Sequence, residues 1–426
     1  MSSLAVIGAG YVGLTSGVCF AKMGHQVTCL DVDEEKVSQL EQGLPTIHES
    51  GIGELLSEGI ESGNLRFTTS AKDAVKNCDF VMLCVPTPSN ANGSVDFSYV
   101  KKASESFRDA LKPGAIVINK STVPVGSTKL VEEVLQRPDV SVVSNPEFLR
   151  EGSAVEDFFH PDRIVVGASD VRDAQKVADL YKNKEIPLVL TDPATAETIK
   201  YVANAFLATK LSFINAVAAI CEGLGADIED LILGIGLDKR IGKSFLKPGP
   251  GWGGSCFPKD TRALLHIAQN AGYRFGLLEG VLAVNEQQNQ RVVEKIRNAV
   301  GGDLKGAKVA VWGLTFKANT DDLRESPALT VIKLLSIEGA EVRAWDPSVK
   351  ASHPLIPSQV LLSQDPYAAC EAADVLVVLT EWSVIRTLNP EDTAKAMNQL
   401  SVVDSRNVLD RESWQTAGFS YQGIGR

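Results

Sequence analysis

One cysteine stands in a sequence context that suits nucleophilic chemistry. Cys256 lies in residues 251–260, Gly-Trp-Gly-Gly-Ser-Cys-Phe-Pro-Lys-Asp, where Pro258 suits the first position of a helix. A thiol at a helix N terminus beside a lysine has its thiolate stabilised, and the thiolate is the nucleophilic form. The alternative is a structural turn cysteine. The other six cysteines fall in strand or helix patterns and are predicted to be small buried hydrophobic residues: Cys19, Cys29, Cys78, Cys84, Cys221 and Cys370.

Two further polar residues are suited to stabilising negative charge on an oxygen atom. Lys200 and Asn204 are four residues apart in a helical pattern and therefore share one face of the helix. Both are hydrogen-bond donors, as an alkoxide or oxyanion requires. The alternative is a polar stripe in contact with solvent.

A glycine-rich turn near the start of the chain predicts an NAD site. Gly8, Gly10 and Gly13 follow a predicted strand and open a helix, so backbone amides can approach a pyrophosphate. Asp31 ends the second strand, where it would accept hydrogen bonds from ribose hydroxyls and repel the extra phosphate of NADP. Thr87 follows the third major strand, at the end where ligands bind in such sheets. The alternatives are a flexible glycine turn and, at Thr87, a turn framed by prolines.

Alternating strands and helices in the first half of the chain must position these groups. Amphipathic segments such as 96–110 and 126–136 lie between short apolar runs, an alternation that predicts a parallel, doubly wound sheet. The predicted strands are LAVIGAG, QVTCLDVD, FVMLCVP, AIVINKS and VSVVSNP, with RIVVGAS and IPLVL extending the sheet to about residue 190.

The second half begins with helices and then returns to strands. One long Ala-rich helical pattern, 193–224, is followed by 227–235, a Gly/Pro-rich loop at 242–257 and two more helices. Such helices between two α/β domains are natural connectors and dimer surfaces. A second strand-helix alternation begins at 308, with strands in KVAVWGLTF, EVRAWDP, DVLVVLT and SVVDSRN. Its turn, GLTFK, lacks the second and third glycines of a dinucleotide loop, so this sheet is predicted to bind something other than NAD.

The predicted fold class is therefore α/β, with two Rossmann-like doubly wound domains joined by a central long-helix domain. The predicted boundaries are 1–192, 193–300 and 301–426. A chain of 426 residues with 44% hydrophobic and 22% charged residues is typical of a globular enzyme of two or three domains.

Charge and composition exclude several other classes of protein. The net charge of −11 argues against bulk nucleic-acid binding, although a few cations can still form a phosphate pocket. The seven scattered cysteines, with no C-x-x-C pair, favour a reducing compartment. The chain shows no signal-peptide pattern and no membrane span, and the most apolar stretch, 198–224, is predicted to be a buried helix. We expect a cytoplasmic protein without a membrane partner.

The motifs together resemble the UDP-glucose/GDP-mannose dehydrogenase family over essentially the whole chain. The Gly-Gly-Ser-Cys-Phe-Pro-Lys-Asp run, at its distance from the other motifs, is the most specific marker. The motifs are GAGYVG at 8–13, KSTVPVGST at 120–128, NPEFLREG at 145–152, ETIKYVANAFLATKLSFINA at 197–216, KRIGKSFLKPGPGWGGSCFPKD at 239–260 and GLTFKANTDDLRESP at 313–327.

The resemblance implies an NAD-dependent, four-electron oxidation of UDP-glucose to UDP-glucuronate, with two NAD reduced per sugar. By resemblance, Cys256 captures the aldehyde-level intermediate as a thiohemiacetal, which is then oxidised to a thioester and hydrolysed. Lys200 and Asn204 match the residues that stabilise the developing oxygen charge, and Asp260 matches an acidic group that organises water and the lysine. Thr122 and Glu147 match residues that hold or activate the hydrolytic water.

The resemblance also assigns binding residues, and it implies no metal. For NAD these are Gly8, Gly10, Val12, Gly13, Asp31, Lys36, Thr87, Thr122, Glu151 near the nicotinamide, Lys259 and Arg324. The nucleotide sugar is expected to bind to the third domain and the segments around it. The residues assigned to it are Glu147, Phe148, Leu149, Arg150, Glu151, Lys200, Asn204, Phe245, Leu246, Lys247, Pro248, Gly249, Gly253 and Lys317. Lys317 is expected at the position where a dinucleotide loop would have a glycine. Arg240 and Arg406 are expected to reach a substrate from the neighbouring subunit of a homodimer.

Three other functions remain open from the residues. In the first alternative, the substrate is a related nucleotide sugar, either GDP-mannose or a UDP-N-acetylhexosamine. The second is a two-electron hydroxyacid dehydrogenase, which needs no cysteine nucleophile and would form one NADH per substrate. The third is a non-catalytic nucleotide-sugar binder, against which the joint presence of Cys256, Lys200, Asn204, Asp260 and Glu147 argues.

Overall fold

The backbone of the protein, described here by a computed structural model for residues 1–90, 92–181 and 185–426, divides into two compact units. The first unit comprises Met1–Ala203 and Arg262–Ala271, and the second comprises Asn204–Thr261 and Gly272–Arg426.

The first unit is built on an eight-stranded sheet with helices on both faces. Along β1, Leu4 and Val6 belong to the hydrophobic core on one face, whereas Ala5 and Ile7 belong to the core on the other. The strand order is β3-β2-β1-β4-β5-β6-β7-β8, so the order reverses between β1 and β4, which is the topological switch point. The strands are β1 (Ser3–Ile7), β2 (Gln26–Leu30), β3 (Leu65–Thr68), β4 (Phe80–Leu83), β5 (Ile116–Asn119), β6 (Ser141–Ser144), β7 (Ile164–Gly167) and β8 (Leu188–Thr191).

In the described part of this unit, eight α-helices connect the strands. They are α1 (Tyr11–Lys22), α2 (Glu34–Glu41), α3 (Ile52–Glu61), α4 (Ala71–Val75), α5 (Ser98–Phe107), α6 (Ser127–Leu135), α7 (Ala154–Phe159) and α8 (Val171–Ala178). All seven predicted strands occur. The edge strand β3 was not predicted, because four residues with an exposed arginine give no clear apolar pattern.

The prediction that this sheet is parallel throughout is wrong at one place. β7 pairs antiparallel with β6, with Ser144 opposite Gly167, while β8 runs parallel to β7. Between β6 and β7 stands only the six-residue helix α7, about 9 Å long, whereas a parallel crossover must return along the whole strand. The chain therefore enters β7 from the carboxyl edge of the sheet.

The second unit contains a six-stranded sheet that repeats the same core order. Its order is β11-β10-β9-β12-β13-β14, all parallel, with the reversal between β9 and β12. The strands are β9 (Lys308–Trp312), β10 (Glu341–Trp345), β11 (Leu361–Leu362), β12 (Val375–Val378), β13 (Ser401–Asp404) and β14 (Ser420–Gln422). The two missed strands, β11 and β14, have two and three residues, too few for a periodic signal.

Two long helices precede this sheet in the chain. The predicted helix at 193–224 is α9 (Pro193–Leu224), which begins in the first unit and continues in the second. It is followed by α10 (Ile228–Gly236), α11 (Phe257–Asn270) and α12 (Gly276–Ala299). The remaining helices are α13 (Pro327–Ile337), α14 (Pro366–Ala369), α15 (Pro390–Ala396) and α16 (Arg411–Thr416).

Helix α9 is unusually apolar for its length. Among the described residues it alone is long and apolar enough to cross a membrane, judged by length and composition, and 44% of its apolar window is buried in the protein. It also carries Lys200 and Asn204, whose side chains are buried.

Side chains of α9 and α12 fix the conformation of the Gly/Pro-rich loop of the second unit. The Gly249 amide donates to Asn215 Oδ1 (2.8 Å), and Gln288 Nε2 donates to the Gly249 carbonyl (2.8 Å). Asn285 Oδ1 accepts from the Trp252 amide (2.8 Å), and its Nδ2 donates to the Trp252 carbonyl (3.0 Å). The loop is therefore held like an internal strand rather than left mobile.

The glycines of this loop make a stability prediction possible. A Cβ atom at Gly253 would lie 1.9 Å from the backbone oxygen of Glu325, so Gly253→Ala must displace backbone and should destabilise the protein by about 1–3 kcal/mol. At Gly234, inside α10, a Cβ atom would meet nothing within 4 Å, and Gly234→Ala should stabilise by about 0.5–1 kcal/mol. Chemical denaturation checks both variants, and an equal effect of the two would show that the close approach at Gly253 is wrong.

Candidate active site

The glycine-rich turn of the first unit is shaped to receive a dinucleotide. Gly8 has φ +99°, and a Cβ atom at Gly13 would lie 1.8 Å from the Gly8 oxygen, so both positions require glycine for the turn and its packing. A Cβ atom at Gly10 would meet nothing within 4 Å. The backbone is thus open at Gly10, directly before the first turn of α1, where amides and the helix dipole favour phosphate. These residues fit NAD.

Asp31 lies at the end of β2 beside this turn. Its Oδ2 accepts from the Ala9 amide (2.9 Å) and from Lys36 Nζ (3.0 Å). Burial favours the neutral carboxyl, but the hydrogen bonds from Lys36 and from backbone amides outweigh it, so the pKa of Asp31 lies below its ordinary value. The predicted ribose acceptor is therefore ionised, with Lys36 as its ion-pair partner rather than a separate cation.

The other predicted residues of this unit follow successive strands at the same edge of the sheet. Thr87 comes shortly after β4, Thr122 after β5 and Glu147 after β6, and Val12 lies in the first turn of α1. Because the carboxyl ends of parallel strands share one edge, the topology places all of them at the edge of the sheet where the switch point opens. Thr87 and Thr122 are both half-buried.

Lys200 and Glu147 form a buried ion pair in the first unit. Lys200 Nζ donates to Glu147 Oε1 (2.8 Å) and to the Glu147 carbonyl (2.7 Å), and the two side chains are only 5% and 8% exposed. The second carboxylate oxygen accepts from the Leu149 amide (2.7 Å). Burial raises the pKa of Glu147. The Lys200 charge and these hydrogen bonds lower it by a larger amount, so the pKa of Glu147 lies below its ordinary value. Glu147 is ionised at neutral pH.

Cys256 occupies the N-cap position of α11. Its carbonyl accepts the helical hydrogen bond from the Asp260 amide (2.9 Å), and its Sγ lies 3.5 Å from Ser255 Oγ. The helix begins at Phe257, so Pro258 is its second residue and not its first as predicted. Of the seven cysteines, Cys256 is half-buried and the other six are buried, as predicted, although Cys78 and Cys84 lie just outside the observed helices and strands rather than within them. Cys256 is thus the accessible thiol.

Asp260 is the buried centre of a second polar group, one helical turn after Cys256. Its carboxylate is fully buried and accepts from Asn204 Nδ2 (2.5 Å) and from Lys259 Nζ (2.6 Å). Asp260 thereby orients Asn204, and Lys259 is the counter-ion of Asp260. Asn204, Cys256, Lys259 and Asp260 all belong to the second unit, whereas Lys200 and Glu147 belong to the first.

The segment 245–249 presents both buried and exposed residues. Phe245 has φ +61°, in the left-handed region that strains a bulky residue. The Leu246 side chain is 2% exposed and packs in the core of the second unit, so only its backbone is free to meet a ligand. Lys247 is exposed and Pro248 is buried. A Cβ atom at Gly249 would lie 3.1 Å from the Arg406 guanidinium.

The glycine turn of the second sheet differs from the first in a way that corrects one prediction. The Gly313 amide donates to the Trp345 carbonyl as Gly8 does to Leu30, both at 2.8 Å. Counting from this match, Thr315 stands where the first turn has Gly10, and Lys317 corresponds to Val12 rather than to a glycine. The Thr315 hydroxyl donates to the Lys317 carbonyl (2.9 Å), and the following helix, α13, starts only at Pro327. The turn is closed by its own side chains.

Arg406 braces the switch point of the second sheet. Its guanidinium donates to the Leu379 carbonyl (2.9 Å) and the Phe316 carbonyl (3.1 Å), and it pairs with Glu381 (3.1 Å). It therefore joins the segments that follow β9, β12 and β13 in one subunit, and its contacts here do not require a neighbouring copy.

Three other predicted arginines have partners close in sequence. Arg150 pairs with Asp157, Arg240 with Asp238 and Arg324 with Asp322. The Arg240 side chain is 89% exposed, so it is free to reorient toward a ligand. Phe148 packs under the Arg163 guanidinium, 3.6 Å from the ring centroid, and Leu149 is half-buried. The pKa of Tyr11 is raised by burial and by Glu49, and the Glu151 charge adds a smaller contribution.

Two residues on α9 that the sequence analysis missed hold the segment that bears Thr122. Glu197 accepts from the Gly126 amide (2.5 Å) and the Thr128 amide (2.9 Å), and burial raises its pKa despite these bonds. Tyr201 donates its hydroxyl to the Val123 carbonyl (2.9 Å). Both lie three or four residues from Lys200 or Asn204, so the helical spacing already placed them on the same face.

Comparisons with known proteins decide the family. Profiles of the UDP-glucose/GDP-mannose dehydrogenase family match residues 2–185 (NAD binding domain), 194–287 (central domain) and 310–411 (UDP binding domain). The chain belongs to this family. A UDP-glucose 6-dehydrogenase of Rhizobium meliloti (strain 1021) is 45% identical over 433 residues, covering 99% of each chain.

Solved structures of this family agree with the fold. A UDP-glucose dehydrogenase from Pyrobaculum islandicum has a TM-score of 0.92 at 39% identity, covering 100% of this chain and 98% of that one. A UDP-D-ManNAc dehydrogenase from Pyrococcus horikoshii has a TM-score of 0.89 at 28% identity, covering 100% and 99%. The family member described here is an NAD-dependent dehydrogenase, and the predicted family, fold class and cofactor are confirmed.

The Lys200–Glu147 pair predicts a stability difference that depends on pH. Glu147→Gln should destabilise the protein by about 3–5 kcal/mol at pH 7, because a buried ammonium loses its counter-charge. The folded pKa of Glu147 is lowered from 4.5, so the pair stabilises above about pH 4.5, and its contribution is lost as the pH falls through the folded value. Denaturation at several pH values should therefore show that the difference in free energy of unfolding between wild type and Glu147→Gln becomes smaller as the pH is lowered.

The control for this prediction is an exposed glutamate of the same unit. Glu132→Gln on α6 should leave the free energy of unfolding within about 0.5 kcal/mol of wild type at every pH. If the difference in free energy of unfolding between wild type and Glu147→Gln stayed constant down to pH 3, this result would contradict the ion pair.

Proposed function

We propose that this chain oxidises UDP-glucose to UDP-glucuronate with two NAD per sugar, through a covalent intermediate on Cys256. The observation that carries the proposal is the half-buried thiol of Cys256 at the N terminus of α11, one turn before the buried Asp260–Asn204 pair. The family has an NAD binding domain and a UDP binding domain, and the chain matches both.

The thiol supplies the covalent step. Bound NAD supplies the hydride acceptor for both oxidations. Between the two oxidations, Cys256 Sγ bonds to C6 of the aldehyde, and the carbonyl oxygen becomes the hydroxyl of a thiohemiacetal. Loss of the second hydride and of the hydroxyl proton gives a thioester. Water then breaks the C–S bond, which releases the carboxylate and returns the thiol.

The surrounding residues supply charge and hold water. Lys200 and Asn204 are donors for the oxygen on C6, and their partners Glu147 and Asp260 fix their orientation. Glu147 is ionised, so it can accept a proton from the water that attacks the thioester, with the Thr122 hydroxyl as a second hydrogen-bonding group. Both carboxylates thus orient a donor, and Glu147 has the additional role in hydrolysis.

The sequence relatives favour UDP-glucose over other nucleotide sugars. Identity is 45% with a UDP-glucose 6-dehydrogenase and 28% with a UDP-D-ManNAc dehydrogenase, both over the full chain. We assign the nucleotide to the second sheet, where Arg406 and the Lys317 turn flank the switch point and add positive charge for a diphosphate. The dehydrogenation of GDP-mannose or of a UDP-N-acetylhexosamine is the alternative, which turnover with each sugar nucleotide distinguishes.

The test of the covalent mechanism is the amount of NADH formed per UDP-glucose. Wild type should form two NADH per sugar and one uronate. Cys256→Ser should lose at least about 10³-fold in kcat, because the serine hydroxyl is not ionised near neutral pH. Cys78→Ser is the matched control, since its Sγ donates to the Ala74 carbonyl (3.2 Å) and a hydroxyl keeps that bond.

Three results would contradict the proposal. One NADH per sugar would support an ordinary two-electron dehydrogenase, and binding without NADH would support a non-catalytic binder. Full activity of Cys256→Ser would remove the thiol from the mechanism.

We also propose that the chain forms a homodimer in the cytoplasm through α9, with no membrane partner. Four apolar side chains of this helix within the second unit are 57–77% exposed: Phe206, Phe213, Ile220 and Leu224. Their spacings of seven and four residues place them on one face, which forms an apolar stripe. A second copy that covers this stripe would bury it, and Arg240, close after α10, would then be able to reach the partner.

Light scattering tests the dimer. Phe213→Glu should halve the mass of the wild-type particle, because a charge in the centre of an apolar interface is left without a partner. Ile337→Glu on α13, where the isoleucine is 71% exposed, should leave the mass unchanged. A monomeric wild type, or dissociation of the control, would contradict the assignment of the interface.

A further inference from the structure

A buried carboxylate outside the site described above joins the dinucleotide turn to the segment that carries Glu147 and Glu151. Glu49 stands three residues before α3 and is 9% exposed. Its Oε2 accepts from the Tyr11 hydroxyl and from the Gly152 amide (2.7 Å), and its Oε1 accepts from the Ala154 amide (3.0 Å). All these residues belong to the first unit.

Three neutral donors satisfy this carboxylate. A buried carboxylate needs several hydrogen bonds to remain in place, and here two come from the backbone and one from a phenol. Burial and the Glu49 carboxylate together raise the pKa of Tyr11, so its hydroxyl remains a donor. The Gly152 amide also donates to the Tyr11 oxygen (3.0 Å), which closes a triangle of hydrogen bonds.

The position of this triangle gives it a role. Tyr11 is the first residue of α1 and follows Gly10 of the dinucleotide turn. Gly152 has φ +82° and follows Glu151, and Ala154 begins α7. Lys200 holds the first end of the segment at Glu147, and Glu49 holds the other end at Gly152. A segment held at both ends keeps its two carboxylates at fixed distances from the turn.

We propose that Glu49, acting through Tyr11 and the Gly152 amide, is a positioning residue that fixes the Glu151 end of this segment against the dinucleotide turn. The inference rests on the proposed function and on the family resemblance, which implies that Glu151 lies near the nicotinamide. Loss of Glu49 is expected to weaken the NAD side of the site and to slow oxidation, with hydrolysis of the thioester left to Glu147.

Hydrogen–deuterium exchange tests the contact without any ligand. In Glu49→Gln, one of the two amides faces an NH₂ group in place of an oxygen, so the amides of 152–154 should exchange about tenfold faster or more. Glu54→Gln is the matched control, because Glu54 is an exposed glutamate of the first turn of α3. Unchanged exchange at 152–154 in Glu49→Gln would overturn the proposal.

Kinetics and binding separate positioning from general damage. Tyr11→Phe removes only a hydroxyl, and both it and Glu49→Gln should raise the Kd of NAD and lower kcat about tenfold, with the KM of UDP-glucose within about twofold of wild type. Neither variant should accumulate an acylated enzyme, because oxidation and not hydrolysis is slowed. An equal loss for both ligands, accompanied by a fall in Tm, would mean a merely structural role and overturn the proposal.

Failure of the proposed function would look different. A wild type that forms no NADH from UDP-glucose contradicts the function, whereas the exchange of 152–154 and the Kd of NAD still decide the role of Glu49.

Discussion

The arrangement of the site depends on how the buried polar groups of α9 are satisfied. A buried charge or hydrogen-bonding group without a partner costs several kcal/mol, so each such side chain constrains the segment that supplies its partner. In the first unit, Glu197 and Tyr201 fix the segment after β5, and Lys200 fixes Glu147 after β6. In the second unit, Asn204 fixes Asp260 one turn after Cys256. Within each unit, α9 thus fixes segments that carry the candidate chemical groups of that unit.

The two sheets show how one topology is adapted to different ligands. In both sheets, an aspartate at the end of the second strand accepts a hydrogen bond from the backbone amide of the residue after the first glycine of the turn. Asp31 accepts it from Ala9, and Asp346 accepts it from Leu314. The Asp31 side chain is 13% exposed and so has room for a ribose. Asp346 is 1% exposed, and Trp382 also donates to it, so its oxygen is already used within the protein. A closed turn of this kind agrees with the match of this sheet to the UDP binding domain of the family.

Much of the fold was predictable from local patterns. The short apolar strands of four or five residues, the 32-residue helix and the Gly/Pro-rich loop each gave strong signals, and the structure contains all of them. The short edge strands and the antiparallel pairing of β7 were not predictable, because they depend on tertiary pairing and on the length of α7. The residue types of the site were recognisable, but their pairing was not. Spacing placed Lys200 and Asn204 on one face, yet only the structure shows that Glu147 and Asp260 are their partners.

The most direct test is the mass of the protein during turnover. Glu147→Gln removes the carboxylate assigned to thioester hydrolysis, and Cys256 should then remain acylated. Intact-protein mass spectrometry of this variant, quenched in acid with UDP-glucose and NAD present, should show one added UDP-glucuronosyl group, and digestion should place it on the Cys256 peptide. An unmodified protein that still forms two NADH per sugar, or an adduct at another residue, would contradict the account.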